Sequence, residues 1–416
     1  MKKIAIIVIF LFGFKLNAQV EEYNSKTLTL FNEGNWSGLI DAAKEAEKTN
    51  QTNFEIEYRL AVAYYNTANY FDSAAQFKKI IETYKVNYEY IQEYLYYSYL
   101  FSGREADAFL VANNFPFHLK EKVNFKEAKF FNYVYTEGGI KISDKSDLNV
   151  KDMSYFNLGL SHRFSPSFTI YHAFSTLAQQ YIDFDYKQSE YYINSNIQIS
   201  KGITLIPAYH YLKIADQNPQ YETIPLPGGG NGSVSVRTSN KDQNINVFYF
   251  GLKKQWNRLS LTTSITSSTV KGIDTLGNSA KTNQLQYGAD LGYSLKAFRD
   301  KVWFGFGGYM HSDDIGDKFI WNIKTYIQIS PKVYLFTKYN QSNVYNFSED
   351  NASVFVNSLS KSNNKISNTL GINLSTKLKA YFNHQFENIE NIDDEIIQNN
   401  FSFTYNTFII GLKLDF

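Results

Sequence analysis

The sequence predicts an α+β multidomain chain: N-terminal α-helical repeats followed by a transmembrane antiparallel β-barrel of about 14 strands, within a range of roughly 12–16. Three observations predict it. The apolar period changes from helical to strictly alternating near residue 126. Beyond that point very short turns take turns with long polar stretches. Finally, the chain stops on an aromatic ring, in "FIIGLKLDF", residues 408 to 416.

Composition sets the limits within which those elements must form. Of 416 residues, 33 are Tyr and 34 Phe, bringing aromatics to 17%, while Pro numbers only 7. A fold that uses rings in such bulk has extensive apolar surface to build. Cysteine is absent, which excludes disulfides, thiolate metal sites, a cysteine nucleophile and a lipidated N-terminal cysteine. The net charge of +1 offers no bulk attraction for nucleic acid, so no nucleic-acid partner is expected.

The first element is a leader over residues 1–18. Lys2 and Lys3 form a basic start, Ile4 to Phe14 reads "IAIIVIFLFGF", and Ala18 supplies the small residue of a cleavage point. The apolar run is about eleven residues, short of the roughly twenty that a spanning helix needs, so it reads as a secretory signal. Its removal takes away Lys2, Lys3 and Lys15, leaving 38 basic against 40 acidic side chains.

The second element is a helical domain over residues 19–125. Gly34, Ala68 and Gly103 stand 34 and 35 residues apart, each between two amphipathic segments, with Trp36 and Tyr70 at the same offset after the first two. In the best copy small Ala61 and Ser73 let paired helices approach, while Leu60, Tyr64, Phe77 and Ile80 fill the seam. These residues resemble the tetratricopeptide repeat, and the resemblance implies docking of a peptide or protein partner on the scaffold formed by Leu60, Ala61, Tyr64, Ser73 and Phe77. The alternative is that the tyrosine-rich stretch Tyr90 to Phe101 packs against the next domain.

The third element, residues 126–416, is the barrel. In "LQYGADLGYSL" Leu285, Tyr287, Ala289, Leu291, Tyr293 and Leu295 share one face, and Gln286, Gly288, Asp290, Gly292 and Ser294 the other. "YYINSNIQIS" and "ISNTLGINL" repeat the arrangement. Period two over roughly ten residues fits a strand with an apolar face toward lipid and a polar face toward a lumen. Short turns at 164–167, 200–202, 256–258, 298–301, 330–332 and 375–377 alternate with polar stretches near 138–153, 179–189, 216–242, 271–282, 312–317, 345–362 and 389–399. In the last strand Phe408, Ile410, Leu412, Leu414 and Phe416 form the outward face. They resemble the C-terminal signature that the insertion machinery of bacterial outer-membrane barrels recognises, which implies that machinery and outer-membrane lipids as partners. An even strand count returns both barrel ends to one side, the periplasm, where the helical domain would lie.

Charge is sorted by end. Lys201, Lys253, Lys254, Arg258, Lys296, Arg299, Lys301 and Lys377 gather at the short turns as a basic periplasmic rim. They either snorkel to phospholipid headgroups or form an electropositive mouth. The long loops collect acids, with Asp313, Asp314 and Asp317 reading as solvated or as a cation cluster. No cofactor and no metal site is expected. Ser161 and His162 adjoin, but neighbours on a strand point to opposite faces and form no nucleophile and base. "PGGGNGS", Pro227 to Ser233, lacks the Lys of a phosphate loop and reads as a flexible surface loop.

Leader, helical repeats and barrel together resemble outer-membrane proteins of the YaiO type and, more distantly, the exopolysaccharide exporters whose periplasmic repeats feed a barrel. The resemblance implies a non-enzymatic outer-membrane protein of a Gram-negative bacterium whose helical domain docks an envelope partner. A conduit for a polysaccharide or small solute is the alternative, and a barrel hydrolase acting on lipid the third. Inward Tyr192, Tyr326 and Tyr381 are expected to narrow the lumen, and whether 216–242 folds inward as a plug stays open.

Overall fold

The computed structural model describes residues 19–123, 125, 130–144, 150–181, 185–200, 202–217, 221–225, 233–237, 243–273, 279–298, 301–314, 316–391 and 401–416. They form two compact units, one of helices over residues up to 127 together with 296–300, and one of strands over 128–295 and 301–416. The predicted leader lies outside the described residues.

The described helices are α1 (19–32), α2 (Trp36–Lys48), α3 (Phe54–Asn66), α4 (Tyr70–Tyr84), α5 (Glu89–Phe101), α6 (Glu105–Ala112) and α7 (Phe117–Lys122). The spacing of Gly34, Ala68 and Gly103 has a backbone cause. Each ends the first helix of a pair in the left-handed region, with φ of 66°, 58° and 74°. Each donates its N–H to the carbonyl three residues back, and the next residue donates to the carbonyl five residues back. That is one Schellman turn repeated three times, satisfying carbonyls that a helix end leaves without partners.

The seam of the middle pair follows the small-and-large pattern. Leu60, Ala61, Tyr64, Ser73 and Phe77 are all buried. The Ser73 hydroxyl donates to the Ala61 carbonyl at 3.0 Å and lies 2.9 Å from the Ser98 hydroxyl, so three helices close on one polar contact. Phe77 is stacked on Tyr94 at 5.3 Å. Buried Arg59 reaches α1, donating to the Asn24 side chain at 2.8 Å and the Thr27 hydroxyl at 3.0 Å. On α5, Ile91, Leu95, Tyr96 and Tyr99 serve the unit's own core, while Tyr90 and Phe101 stay exposed.

The second unit is a closed antiparallel barrel of 14 strands. They are β1 (Phe131–Ser143), β2 (Val150–Ser165), β3 (Phe168–Tyr181), β4 (Asp185–Ser200), β5 (Ile203–Gln217), β8 (Gln243–Trp256), β9 (Leu259–Ile273), β10 (Ser279–Ser294), β11 (Val302–Asp313), β12 (Gly316–Gln328), β13 (Val333–Glu349), β14 (Val354–Asn373), β15 (Leu378–Asn391) and β16 (Phe401–Asp415). Between β5 and β8, strands β6 (Tyr221–Pro225) and β7 (Ser233–Arg237) pair with each other as a separate hairpin. Neighbours in sequence are neighbours in the wall, and β1 closes the ring on β16 from Tyr133 opposite Asp415 to Ser143 opposite Tyr405.

The strands run past the stretches expected to be loops. The polar stretch predicted over 345–362 contains strand up to Glu349 and again from Val354, leaving only 350–353 as a connection. The expected loop 138–153 likewise falls largely inside β1 and β2. About 9–11 residues cross a bilayer, whereas β14 has 20 residues, so ladder hydrogen bonds continue where the apolar face has ended.

Outward and inward faces are inverted relative to a soluble protein. Phe248, Ile265, Leu291, Phe306, Phe382 and Ile410 are exposed, Ile410 to 65%. Buried inside are Asn157, Gln179, Gln188, Thr266, Ser268, Gln286 and Asn340. Among the described residues no helix is long and apolar enough to cross a membrane.

Candidate functional site

The lumen carries the candidate site, and its central feature is a connection that folds inward. After β13 the backbone turns through Asp350, Asn351 and Ala352, which have φ of 49°, 61° and 60°. Three successive side-chain-bearing residues in the left-handed region are strained by about 1–2 kcal/mol each, less for Asn and Asp, and persist only if their surroundings hold them. The far wall does so. The Tyr192 hydroxyl donates to the Asn351 carbonyl at 2.9 Å, the Tyr249 hydroxyl donates to Asn351 Oδ1 at 2.8 Å, and His210 Nδ1 donates to the Ala352 carbonyl at 2.9 Å.

The stem of this loop is fixed from two further sides. The Gln286 side chain donates to the Ser348 carbonyl at 2.9 Å and accepts from the Ser348 N–H at 3.1 Å. Buried Glu349 accepts from Lys338 at 2.7 Å and from Lys365 at 2.6 Å, while Lys338 also reaches Asp350 at 2.9 Å. Charges buried together in this way compensate one another, and removal of one partner strands the rest. Ala352 is fully buried on a wall cluster of Ile206, Leu212, Ile214, Ile245 and Val247. The element crossing the lumen is therefore 349–353. The 216–242 segment opens on the last two residues of β5 and contributes the separate β6–β7 hairpin, while 218–220, 226–232 and 238–242, with most of "PGGGNGS", lie outside the described residues.

Nearer the short-turn end, the wall is paved with aromatic rings, and glycines receive them. A Cβ on Gly159 would lie 2.1 Å from the Tyr171 hydroxyl oxygen, one on Gly371 2.2 Å from Tyr334 Cζ, and one on Gly411 2.8 Å from the Tyr135 hydroxyl oxygen. Each ring lies where the neighbouring strand has no side chain, flat on the wall, an arrangement known to rescue glycine in sheets. The tyrosines expected to narrow the lumen fall in two places. Tyr192 is inward but buried beneath the loop, while Tyr326, Tyr334 and Tyr381 line the wall.

The predicted basic rim divides. Lys253 shares the parity of inward Tyr249 and Gly251. Lys254 shares that of exposed Phe250 and Leu252 and approaches outward Trp256 at 6.0 Å. Arg258 is buried in its turn, Lys296, Lys301 and Lys377 are exposed, and Lys201 and Arg299 lie outside the described residues. Phe408, Ile410, Leu412, Leu414 and Phe416 all lie on the exposed outer face.

The histidines are also sorted. Buried Ser161 faces in, whereas His162 lies against Phe130 and Phe131 and 3.1 Å from His172. Inward His311 lies 3.3 Å from Asp313, and His210 is engaged by Ala352 and by Glu190 at 3.1 Å. Among the described residues no three His, Asp or Glu side chains converge as a metal site would.

No family model matches the chain, and no curated protein does. Solved structures similar to it include the CymD monoaromatic hydrocarbon channel, at 8% identity and TM-score 0.46, covering 69% of this chain and 89% of that one. The Pseudomonas putida toluene transporter TodX is similar at 10% identity and TM-score 0.42, covering 69% and 90%. A Pseudomonas aeruginosa FadL homologue is similar at 9% identity and TM-score 0.40, covering 69% and 89%.

Proposed function

We propose that this protein is a non-enzymatic integral barrel of a Gram-negative outer membrane that passes a hydrophilic solute, with its helical unit in the periplasm. The observation that carries the reading is the inversion of faces, apolar outside and polar within a closed ring of 14 strands. Barrels of about eight strands fill with their own side chains and those of about 16–18 leave an aqueous channel, so at this intermediate size the lining decides. On β9 the inward row is Ser260, Thr262, Ser264, Thr266 and Ser268, side chains too short to fill the interior. With tyrosines flat on glycines elsewhere, this lining supports a passage whose narrowest level is the 349–353 loop.

Planar-bilayer recording of the purified full-length protein tests this. Unitary currents are expected, larger when 350–353 is replaced by a short Gly-Ser turn. A silent protein, with and without the loop, would leave a membrane anchor. Measurable phospholipid turnover by the same preparation would overturn the non-enzymatic part.

A second reading, docking of an envelope protein by the tetratricopeptide-like unit, is favoured by one observation. Tyr88, Tyr90 and Phe101 of the α5 region and Phe117 are exposed, with Tyr88 and Tyr90 stacked at 5.5 Å. A photo-crosslinker placed at Tyr90 in intact cells is expected to capture one discrete envelope protein; labelling of lipid and abundant bystanders alone would remove this reading. The scaffold residues Leu60, Ala61, Tyr64, Ser73 and Phe77, being buried, hold the shape of such a surface and do not touch the partner.

A further inference from the structure

The aromatic paving of the lumen runs in two stretches. Ring centroids follow one another from Tyr326 to Tyr334 at 5.1 Å, to Tyr381 at 6.5 Å and to Tyr135 at 5.9 Å. Two residues from Tyr135 on the same face of β1, Tyr133 continues to Tyr171 at 5.9 Å. The strands between carry Gly371, Gly411 and Gly159 under the rings, so one stretch runs from β12 through β13 and β15 to β1 and a second joins β1 to β3. Register ties part of it together: Tyr334 is opposite Gly371, Gly371 opposite Tyr381, and Tyr381 opposite Gly411. A cavity of about 420 Å³ opens on it between Tyr326, Tyr334, Phe336 and Thr369.

From this collar we infer a binding site for a saccharide made of pyranose rings, seated at the Tyr326–Tyr334 cavity. A ring lying flat on a wall offers one broad π-face to the lumen, and that negative face suits the slightly positive C–H face of a sugar ring. The surroundings are hydrogen-bonding groups. The Tyr326 hydroxyl donates to Gln328, and Asn383 donates to the Thr369 hydroxyl at 2.7 Å and to the Ser367 hydroxyl at 2.9 Å. A hydrocarbon ligand would desolvate such groups without replacing their water, which is unfavourable, whereas sugar hydroxyls replace that water with hydrogen bonds of their own.

The inference rests on the conduit reading only for how occupancy appears as current; binding itself is measured separately. Maltohexaose is titrated into the detergent-solubilised protein by calorimetry and added to open channels in planar bilayers. Expected are saturable heat and concentration-dependent interruption of current, weakened roughly three- to tenfold by Tyr334→Ala, the loss of one stacking partner. Tyr334→Phe keeps the ring and is expected to retain binding to within about twofold, and it also answers for a Tyr334→Ala barrel that fails to assemble. Polyethylene glycol of similar mass is expected to give no heat. No heat from maltohexaose, equal block by polyethylene glycol, or tighter binding of toluene than of the sugar would each overturn the saccharide site. Heat without current would sink the conduit and leave the site standing; current without heat would do the reverse.

Discussion

The helical unit and the barrel draw on the same aromatic stock and use it in opposite ways. In the helices, rings go inward: Phe77 and Tyr99 are 0% and 2% exposed, and small residues such as Ala61 and Ser73 make room for them. In the barrel, rings such as Phe248, Phe306 and Phe382 go outward, and inward Tyr135, Tyr171 and Tyr334 are accommodated by glycines of the next strand. The difference teaches that composition alone fixes neither arrangement. The period decides which residues share a face, and the surrounding solvent decides which face is hidden.

The strongest way to break the comparison is to damage the helical core alone. Phe77 is fully buried and stacked between helices, so Phe77→Ala is expected to destabilise the helical unit by about 3–5 kcal/mol, transfer and cavity effects together. Denaturant titration of the full-length protein in detergent, followed by the helical circular-dichroism signal, checks this. The β signal is expected to keep its own midpoint. A shared shift of both would make the two units one cooperative structure.

The matching experiment on the wall is Ile410→Lys. Ile410 is 65% exposed on the last strand, a position where a soluble protein tolerates lysine with almost no effect. On a lipid face near the bilayer midplane the same change costs about 2–4 kcal/mol. Folding into lipid vesicles at varied urea reads this directly; an unchanged midpoint would mean that water, not hydrocarbon, surrounds this face.

Alkali sharpens the contrast, because burial pushes the Tyr58, Tyr65 and Tyr99 hydroxyls of the helical unit up to about 12. In the unfolded chain such a phenol ionises near 10. Below that both states hold the proton, and stability from this source is complete. Between pH 10 and 12 only the folded state still holds it, so stability falls as pH rises. For Tyr99, the most buried of the three, the loss reaches about 2 kcal/mol by the upper end. Tyrosine absorbance and helical signal recorded together should change over this window; a helical signal that survives well beyond pH 12 would contradict the assigned cause.

Several of these features are readable in sequence, and the exceptions have physical reasons. Period two gave the faces of β10, β14 and β16, because the large apolar residues of their alternating rows, such as Leu291 and Ile410, meet the same surroundings. The repeat at Gly34, Ala68 and Gly103 was visible because each is a backbone turn with a fixed need. The 349–353 loop was not, since polar residues read the same whether they meet outside water or the far wall of a lumen. Strand ends were missed because alternation reports the apolar band and the ladder outlasts it. The pairing of Tyr334 with Gly371 is non-local and leaves no local mark, whereas the inward parity of Lys253, shared with Tyr249 and Gly251, was there to be read.

The smallest effect tests the turn itself. Gly34 and Gly103 occupy their left-handed positions without penalty, but Ala68 holds φ of 58° with a Cβ that crowds the adjacent carbonyl. Relief of that strain favours Ala68→Gly by about 1–2 kcal/mol, while the greater freedom of glycine in the unfolded chain opposes it by about 0.4–1 kcal/mol. Strain relief outweighs chain freedom, so Ala68→Gly is expected to stabilise the helical unit by up to about 1 kcal/mol and leave the barrel untouched. The reverse change, Gly103→Ala, is expected to lower the helical midpoint by a similar amount, and the pair measured in one denaturant series tests the turn from both sides. If both variants destabilised, packing around Ala68 would dominate over its backbone, and the three turns would share a hydrogen-bond pattern without sharing an energy.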